Sequence, residues 1–155
     1  MTLPQSYFDE WQDARKGTVA LSERIPDDVD LSWQPHPEIT SFGELTRHIF
    51  GSMYFMLQSY FDRPFEIPSN IKNKEPLGKQ EFIKHLKVTD KLMQETLQVL
   101  TADDLEQKYF ISKRSGKKLS YSYLIWHIKE HEVHHRSQLK MYLKMLGNDT
   151  SNVGF

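Results

Sequence analysis

Apolar side chains recur along this chain at three- and four-residue intervals in four separate runs, and nowhere do they alternate with period two over a long stretch. That spacing predicts amphipathic helices. The first covers residues 4–24, with Thr2 ahead of it and Pro4 in its first turn, where a missing N–H costs nothing. Tyr7, Phe8, Trp11, Ala14 and Leu21 share one face. Residues 25–40 hold Pro26, Pro35 and Pro37 and form a long connection, which Val29, Leu31 and Trp33 would pack onto the body.

The second helix opens on Ser41-Phe42-Gly43-Glu44, a capping box in which Ser41 and Glu44 satisfy each other's free amide donors. It runs to about residue 61 and stops before Pro64. Its inward stripe reads Leu45, His48, Ile49, Ser52, Phe55, Met56 and Tyr60. A link containing Pro64, Pro68 and Pro76 leads to a third helix over residues 78–100, with Phe82, Leu86, Met93, Leu97 and Leu100 on one side. Residues 101–104 predict a short extra turn, and residues 107–118 a loop or small hairpin around Gly116.

The fourth helix is the longest, with Ser120 as its cap and Gly147 just past its end. Counted in heptads from Tyr121, one seam is Tyr121, Ile128, His135 and Tyr142, and its companion is Leu124, His131, Gln138 and Met145. Ile125, Glu132, Leu139 and Leu146 flank them. Four helices with one apolar stripe each predict an all-α four-helix bundle, one domain over residues 1–155, with a long loop between helices one and two.

Composition narrows the function. A formal net charge of −1 gives no electrostatic case for nucleic acid, and the basic run Lys113-Arg114-Ser115-Gly116-Lys117-Lys118 reads as a solvated turn. No segment approaches the roughly eighteen apolar residues of a membrane span, and the N-terminus does not read as a secretory signal. The chain has no cysteine, so disulfides, thiolate metal sites and cysteine nucleophiles are excluded, and a reducing, cytoplasmic setting fits. Any transition metal must rely on His, Asp or Glu.

Residues 131–135 read His-Glu-Val-His-His, which matches the H-E-x-x-H spacing of zinc proteases. Such a protease needs a third ligand, usually downstream. Beyond His135 there is no Glu, a single Asp (Asp149) and only twenty residues, and no edge strand is visible for a peptide substrate. The protease reading therefore fails. His131 and His135 nevertheless stack one turn apart on the seam and would aim two imidazoles at one point, while His127 and His134 fall to the side. A third ligand must come from upstream, and His48 on the second helix's inward stripe is the candidate. Three inward imidazoles would each cost roughly 1–3 kcal/mol if buried unpaired, a cost that a shared ion removes. His36 in a loop and His85 beside the third stripe read as surface histidines.

Two elements resemble the DinB/YfiT-like family. One is Ser41-Phe42-Gly43-Glu44-Leu45-Thr46-Arg47-His48, preceded by Trp33-Gln34-Pro35; the other runs Trp126-His127 to His131-Glu132, then His135-Arg136-Ser137-Gln138. The resemblance covers essentially the whole chain. It implies an up-down-down-up bundle, often a homodimer, with His48, His131 and His135 holding a divalent ion, zinc or nickel foremost, with iron, copper or manganese as alternatives. Ser137 replaces the family's usual Gly, which puts a close helix contact in doubt. The resemblance also implies a metal-dependent transferase acting with a low-molecular-weight thiol, or a related hydrolase; the alternative is a non-catalytic metal- or ligand-binding bundle. Glu132 and Gln138 are candidate partners of the ligand imidazoles, Glu132 being equally readable as a surface salt bridge to Lys129 or Arg136. Tyr54, Phe55, Tyr123 and Trp126 would line a pocket or fill core.

Overall fold

The computed structural model describes residues 2–153. Each long helix begins where the side-chain chemistry places it. In α1 (Leu3–Arg24) the Thr2 hydroxyl accepts from the Gln5 amide at 3.4 Å. In α2 (Phe42–Tyr60) both halves of the capping box form, Ser41 N–H donating to Glu44 at 3.0 Å and Glu44 N–H to Ser41 Oγ at 3.3 Å. The short α3 (Ser69–Lys72), which the sequence pattern did not predict, lies in the link to α4 (Lys79–Gln98). The predicted extra turn is α5 (Ala102–Gln107), with its own capping box from Thr101 and Asp104. The hairpin also forms: β1 (Tyr109–Ile111) pairs antiparallel with β2 (Lys118–Ser120), Tyr109 facing Ser120. Its connection uses Gly116 at φ 67°, a left-handed conformation that suits glycine. The last helix, α6 (Tyr121–Met145), is capped by Ser120 and followed by Gly147 at φ 82°.

Among the long helices, α1 packs on α4 and α6, and α2 packs on the same two. The core falls into two apolar clusters. One gathers Leu21, Phe42, Ile49, Phe82, Leu139 and Leu143; the other gathers Trp11, Met53, Leu57, Met93, Leu124 and Ile128. Burying each such side chain contributes roughly 1.5–3 kcal/mol. The loop over residues 25–40 is held down as predicted, with Val29, Leu31 and Trp33 packed against the first cluster. Gly43 makes this close approach possible: a Cβ there would lie 2.5 Å from Pro76 Cβ and 3.0 Å from the Leu31 carbonyl.

Between the clusters runs a belt of buried polar groups. Arg15 Nε lies 3.4 Å from Asp90 and 3.3 Å from Glu132. Thr18 donates to Glu132 at 2.5 Å, and Arg15 donates to Thr89 at 3.1 Å and lies over the Trp11 ring. Gly17 leaves the space that the Arg136 guanidinium fills, and Arg136 donates from there to the Ala14 carbonyl at 2.7 Å.

Two predicted faces need correction. The buried stripe of α6 is Leu124, Ile125, Ile128, Glu132, Arg136, Leu139, Tyr142 and Leu143, whereas Met145, assigned to the seam, is 57% exposed. The series read as a flank, Ile125, Glu132 and Leu139, stays buried throughout, so the core face lies to one side of the seam that was counted. On α2, Phe55 is 59% exposed and His48 is also exposed, because the buried face runs through Leu45, Ile49, Phe50, Met53, Tyr54 and Leu57. Among the described residues, no helix is long and apolar enough to cross a membrane.

Candidate metal centre

α2 and α6 pack side by side, and their rims bring together the three histidines singled out from the sequence. His48 stands on the exposed edge of α2; His131 and His135, four apart on α6, are half-buried opposite it. The ring centroids are 5.5 Å apart for His48 and His131, 4.6 Å for His48 and His135, and 4.3 Å for His131 and His135. One nitrogen from each ring lies within 4.8 Å of the other two. A tetrahedral ion with nitrogen ligands at 2.0–2.1 Å would require separations of about 3.3 Å. Binding an ion would therefore draw the three nitrogens closer together than they stand here.

The site sits at the rim of the bundle rather than in its core, contrary to the inward placement expected of these residues. Two depressions flank it. One, of about 340 Å³, is lined by His48, His135, Gln138, Glu44, Arg47 and Tyr142 among others. The other, of about 480 Å³, borders His48 and His131 and runs past Gly51, Phe55, Met56 and Ile71. An ion here would therefore be reachable from solvent and from both depressions.

The electrostatics keep the rings neutral. Desolvation, reinforced by His135 and His48, lowers the His131 pKa from 6.5 to about 3. Desolvation also lowers His48, helped by the Arg47 charge. In His135 desolvation lowers the pKa against the opposing effect of the hydrogen bond it donates to Gln138. Neutral imidazole is the form that binds a metal. Gln138 Oε1, which only accepts, lies 2.6 Å from His135 Nδ1, so that nitrogen carries the proton and Nε2 keeps its lone pair for a ligand. Ser52 Oγ stands 3.3 Å from His48 Nε2.

The remaining candidates sort clearly. Gln138 touches a site imidazole as anticipated; Glu132 does not. It is 3% exposed and tied to Arg15 and Thr18, so both readings made for it, site partner and surface salt bridge, are overturned. One residue along from His131, its side chain turns about 100° away, toward α1. His85 is likewise no surface histidine. It is 1% exposed, with Tyr54 Oη 2.8 Å from its Nδ1 and Asn70 Nδ2 3.1 Å from its Nε2. Its stripe on α4 is completed by the polar residues Thr89 and Thr96, which an apolar count passes over. His127 stacks on Tyr123 and lies 3.8 Å from Glu130, outside the cluster. His134 is exposed, its ring 4.8 Å from that of His135, and His36 is exposed in its loop. Tyr54 is core, Phe55 borders the larger depression, and Tyr123 and Trp126 are exposed on α6. Arg47, which borders both depressions, was passed over in the sequence; its one signal there is a basic residue directly before the second-helix histidine.

These features define a class: a helical bundle with three convergent imidazoles at the junction of two helices. The chain belongs to the DinB superfamily, whose sequence pattern matches residues 10–139. It is similar to the uncharacterized protein YjoA of Bacillus subtilis strain 168, with 25% identity over 137 residues, 86% of this chain and 84% of that one. The crystal structure of YjoA superposes with a TM-score of 0.70 at 21% identity, over 94% of each chain. A DinB-like protein from Bacillus cereus ATCC 10987 superposes with a TM-score of 0.79 at 19% identity, over 99% of this chain and 98% of that one.

Proposed function

We propose that this protein is a divalent-metal-dependent enzyme whose ion is held by His48, His131 and His135, and that it transfers or hydrolyses a small substrate, most directly as a thiol-dependent S-transferase. The observation that carries the reading is the convergence of three neutral imidazole nitrogens within 4.8 Å at a solvent-reachable rim. Zinc or nickel suits this donor set best, with iron, copper or manganese as alternatives. Three protein ligands leave a coordination position open, the pattern of a catalytic rather than a closed structural site. When bound, such an ion supplies Lewis acidity that lowers the pKa of a thiol or water at that position. The protein's own part is to fix the ligand tautomer through Gln138 and to admit substrate from the flanking depressions.

Cross-helix contacts support the finer arrangement, an up-down-down-up order within a single bundle domain. Partners rise together along α1 and α6 (Glu10 with Lys129, Ala14 with Arg136) and along α2 and α4 (Phe50 with Phe82, Tyr54 with His85). They run oppositely along α2 and α6 (His48 with His135, Tyr60 with His127). A cytoplasmic homodimer is the working assembly in this reading.

The test is metal analysis of protein purified without a histidine tag, before and after reconstitution with zinc or nickel, followed by thermal shifts with thiols. One ion per chain, and a thiol shift that requires the ion, are expected. Trace metal that reconstitution does not raise contradicts the reading. A metal shift that no thiol changes favours the non-catalytic alternative.

A further inference from the structure

Among the described residues, Arg47 is the one cation that borders both depressions beside the three-histidine cluster. Among the described residues, no carboxylate lies within ion-pair distance of it, and its buried Nε has no hydrogen-bond partner. The half-buried Arg63 shares this lack of a partner, so what sets Arg47 apart is its place beside the histidine cluster and both depressions. The nearest acid in sequence on its own helix, Glu44, spends its carboxylate on the Ser41 amide in the helix cap and feels Arg47 only through its charge. The direction of the side chain is informative. A Cβ added at Gly51, one turn on, would lie 4.0 Å from Arg47 Nη1, so the guanidinium reaches along α2 over the larger depression. The far wall of that depression carries Lys72 and Lys74. Lys72 is paired with Glu66 at 3.0 Å. The floor is apolar, with Phe55 held 59% exposed where no protein group covers it.

A cation without an internal partner, beside a reactive centre and above an uncovered apolar surface, has the character of a substrate anchor. Building on the metal centre proposed above, we infer that Arg47 binds a carboxylate on the substrate, whose apolar body lies along Phe55, Met56 and Ile71 while its reacting end reaches the three histidines. Arg47 is then the residue that selects anionic substrates. A planar guanidinium accommodates a carboxylate through two parallel hydrogen bonds, a match that a lysine does not reproduce.

The test uses the full chain loaded with cobalt(II) and two thiols that differ only in charge, mercaptobutyrate and mercaptobutanol. Their binding is read from thiolate-to-cobalt absorption. The carboxylate thiol is expected to bind about tenfold or more tighter, as a charge-assisted hydrogen bond confers. Arg47→Gln should erase that preference in a chain that still takes up cobalt and still binds mercaptobutanol. Equal affinities in the wild type, or a preference that survives Arg47→Gln, overturn the inference. Cobalt uptake separately reads the three-histidine centre. If the chain takes up no cobalt, the metal reading fails, and the anchor is then read in metal-free protein from the nuclear magnetic resonance of the Arg47 Nε–H. A mercaptobutyrate-dependent shift that mercaptobutanol does not produce supports the anchor, and its absence overturns it.

Discussion

α6 carries two polar clusters on different faces, and they are built on opposite principles. Toward α1, Glu132 and Arg136 are buried, and their region is closed on itself: Arg15 sits between Glu132 and Asp90, Thr18 and Thr89 add hydrogen bonds, and Arg136 reaches the Ala14 carbonyl. Toward α2, His131 and His135 face His48 with their nitrogens directed at a common space, and Gln138 and Ser52 touch the cluster from outside. The first cluster sets buried charges against one another, Arg15 against Asp90 and Glu132, although among the described residues Arg15 Nη2 makes no hydrogen bond. The second uses neutral groups and, among the described residues, directs one nitrogen from each of three rings at a common space. Internal pairing of charges marks a structural device; convergent imidazole nitrogens beside open depressions mark a place for a ligand.

The largest effect should come from breaking the closed cluster. Glu132→Ala leaves Arg15 with Asp90 alone in a buried setting and should cost about 3 kcal/mol or more of stability, read from urea unfolding. Metal content per folded chain should be unchanged. Loss of metal in a folded Glu132→Ala protein would place Glu132 in the site after all. Next, His135→Ala should abolish metal retention with little effect on the stability of the metal-free chain, while His127→Ala keeps the metal, both measured by elemental analysis. Equal losses would show that the wrong histidines had been chosen. Smaller still is the effect of Gln138→Ala, which removes only the partner that fixes the His135 tautomer. Such partners typically contribute 10–100-fold in metal affinity.

The last effect is on pH dependence and emerges only in acid. The His131 pKa is about 3 in the folded protein against about 6.5 in an unfolded chain, so between these values the unfolded state binds more protons. Stability of the metal-free protein should therefore fall as pH drops below about 6.5, and the fall should level off near pH 3. His131→Gln should make the decline shallower. A decline of the same steepness in the variant would show that His131 does not contribute to it.

Most of the fold was legible because local chemistry sets it. Ser41 with Glu44, Thr2, Ser120 and Gly147 mark helix ends through their own side chains or backbone freedom, and all four do so here. His131 and His135 were legible because residues four apart share a helix face, and His48 because it stands on the side of α2 turned toward them. What escaped depends on partners distant in sequence. His85 is buried because Tyr54, thirty-one residues earlier, meets it. Glu132 is buried because Thr18, separated by 114 residues, and Arg15 receive it. A heptad count read the rim as core because periodicity alone does not fix its phase, and the buried series proved to be Ile125, Glu132 and Leu139. Arg47 stood in plain view beside His48, but nothing local marks a guanidinium as unpaired.

The most direct test of the central claim is X-ray absorption spectroscopy of tag-free protein reconstituted with zinc or nickel. The account predicts one ion per chain, bound by three imidazole nitrogens at about 2.0–2.1 Å plus an exchangeable light atom, and loss of the imidazole signal in His135→Ala. A chain that takes up no ion, or an ion whose imidazole signal survives in His135→Ala, would contradict it.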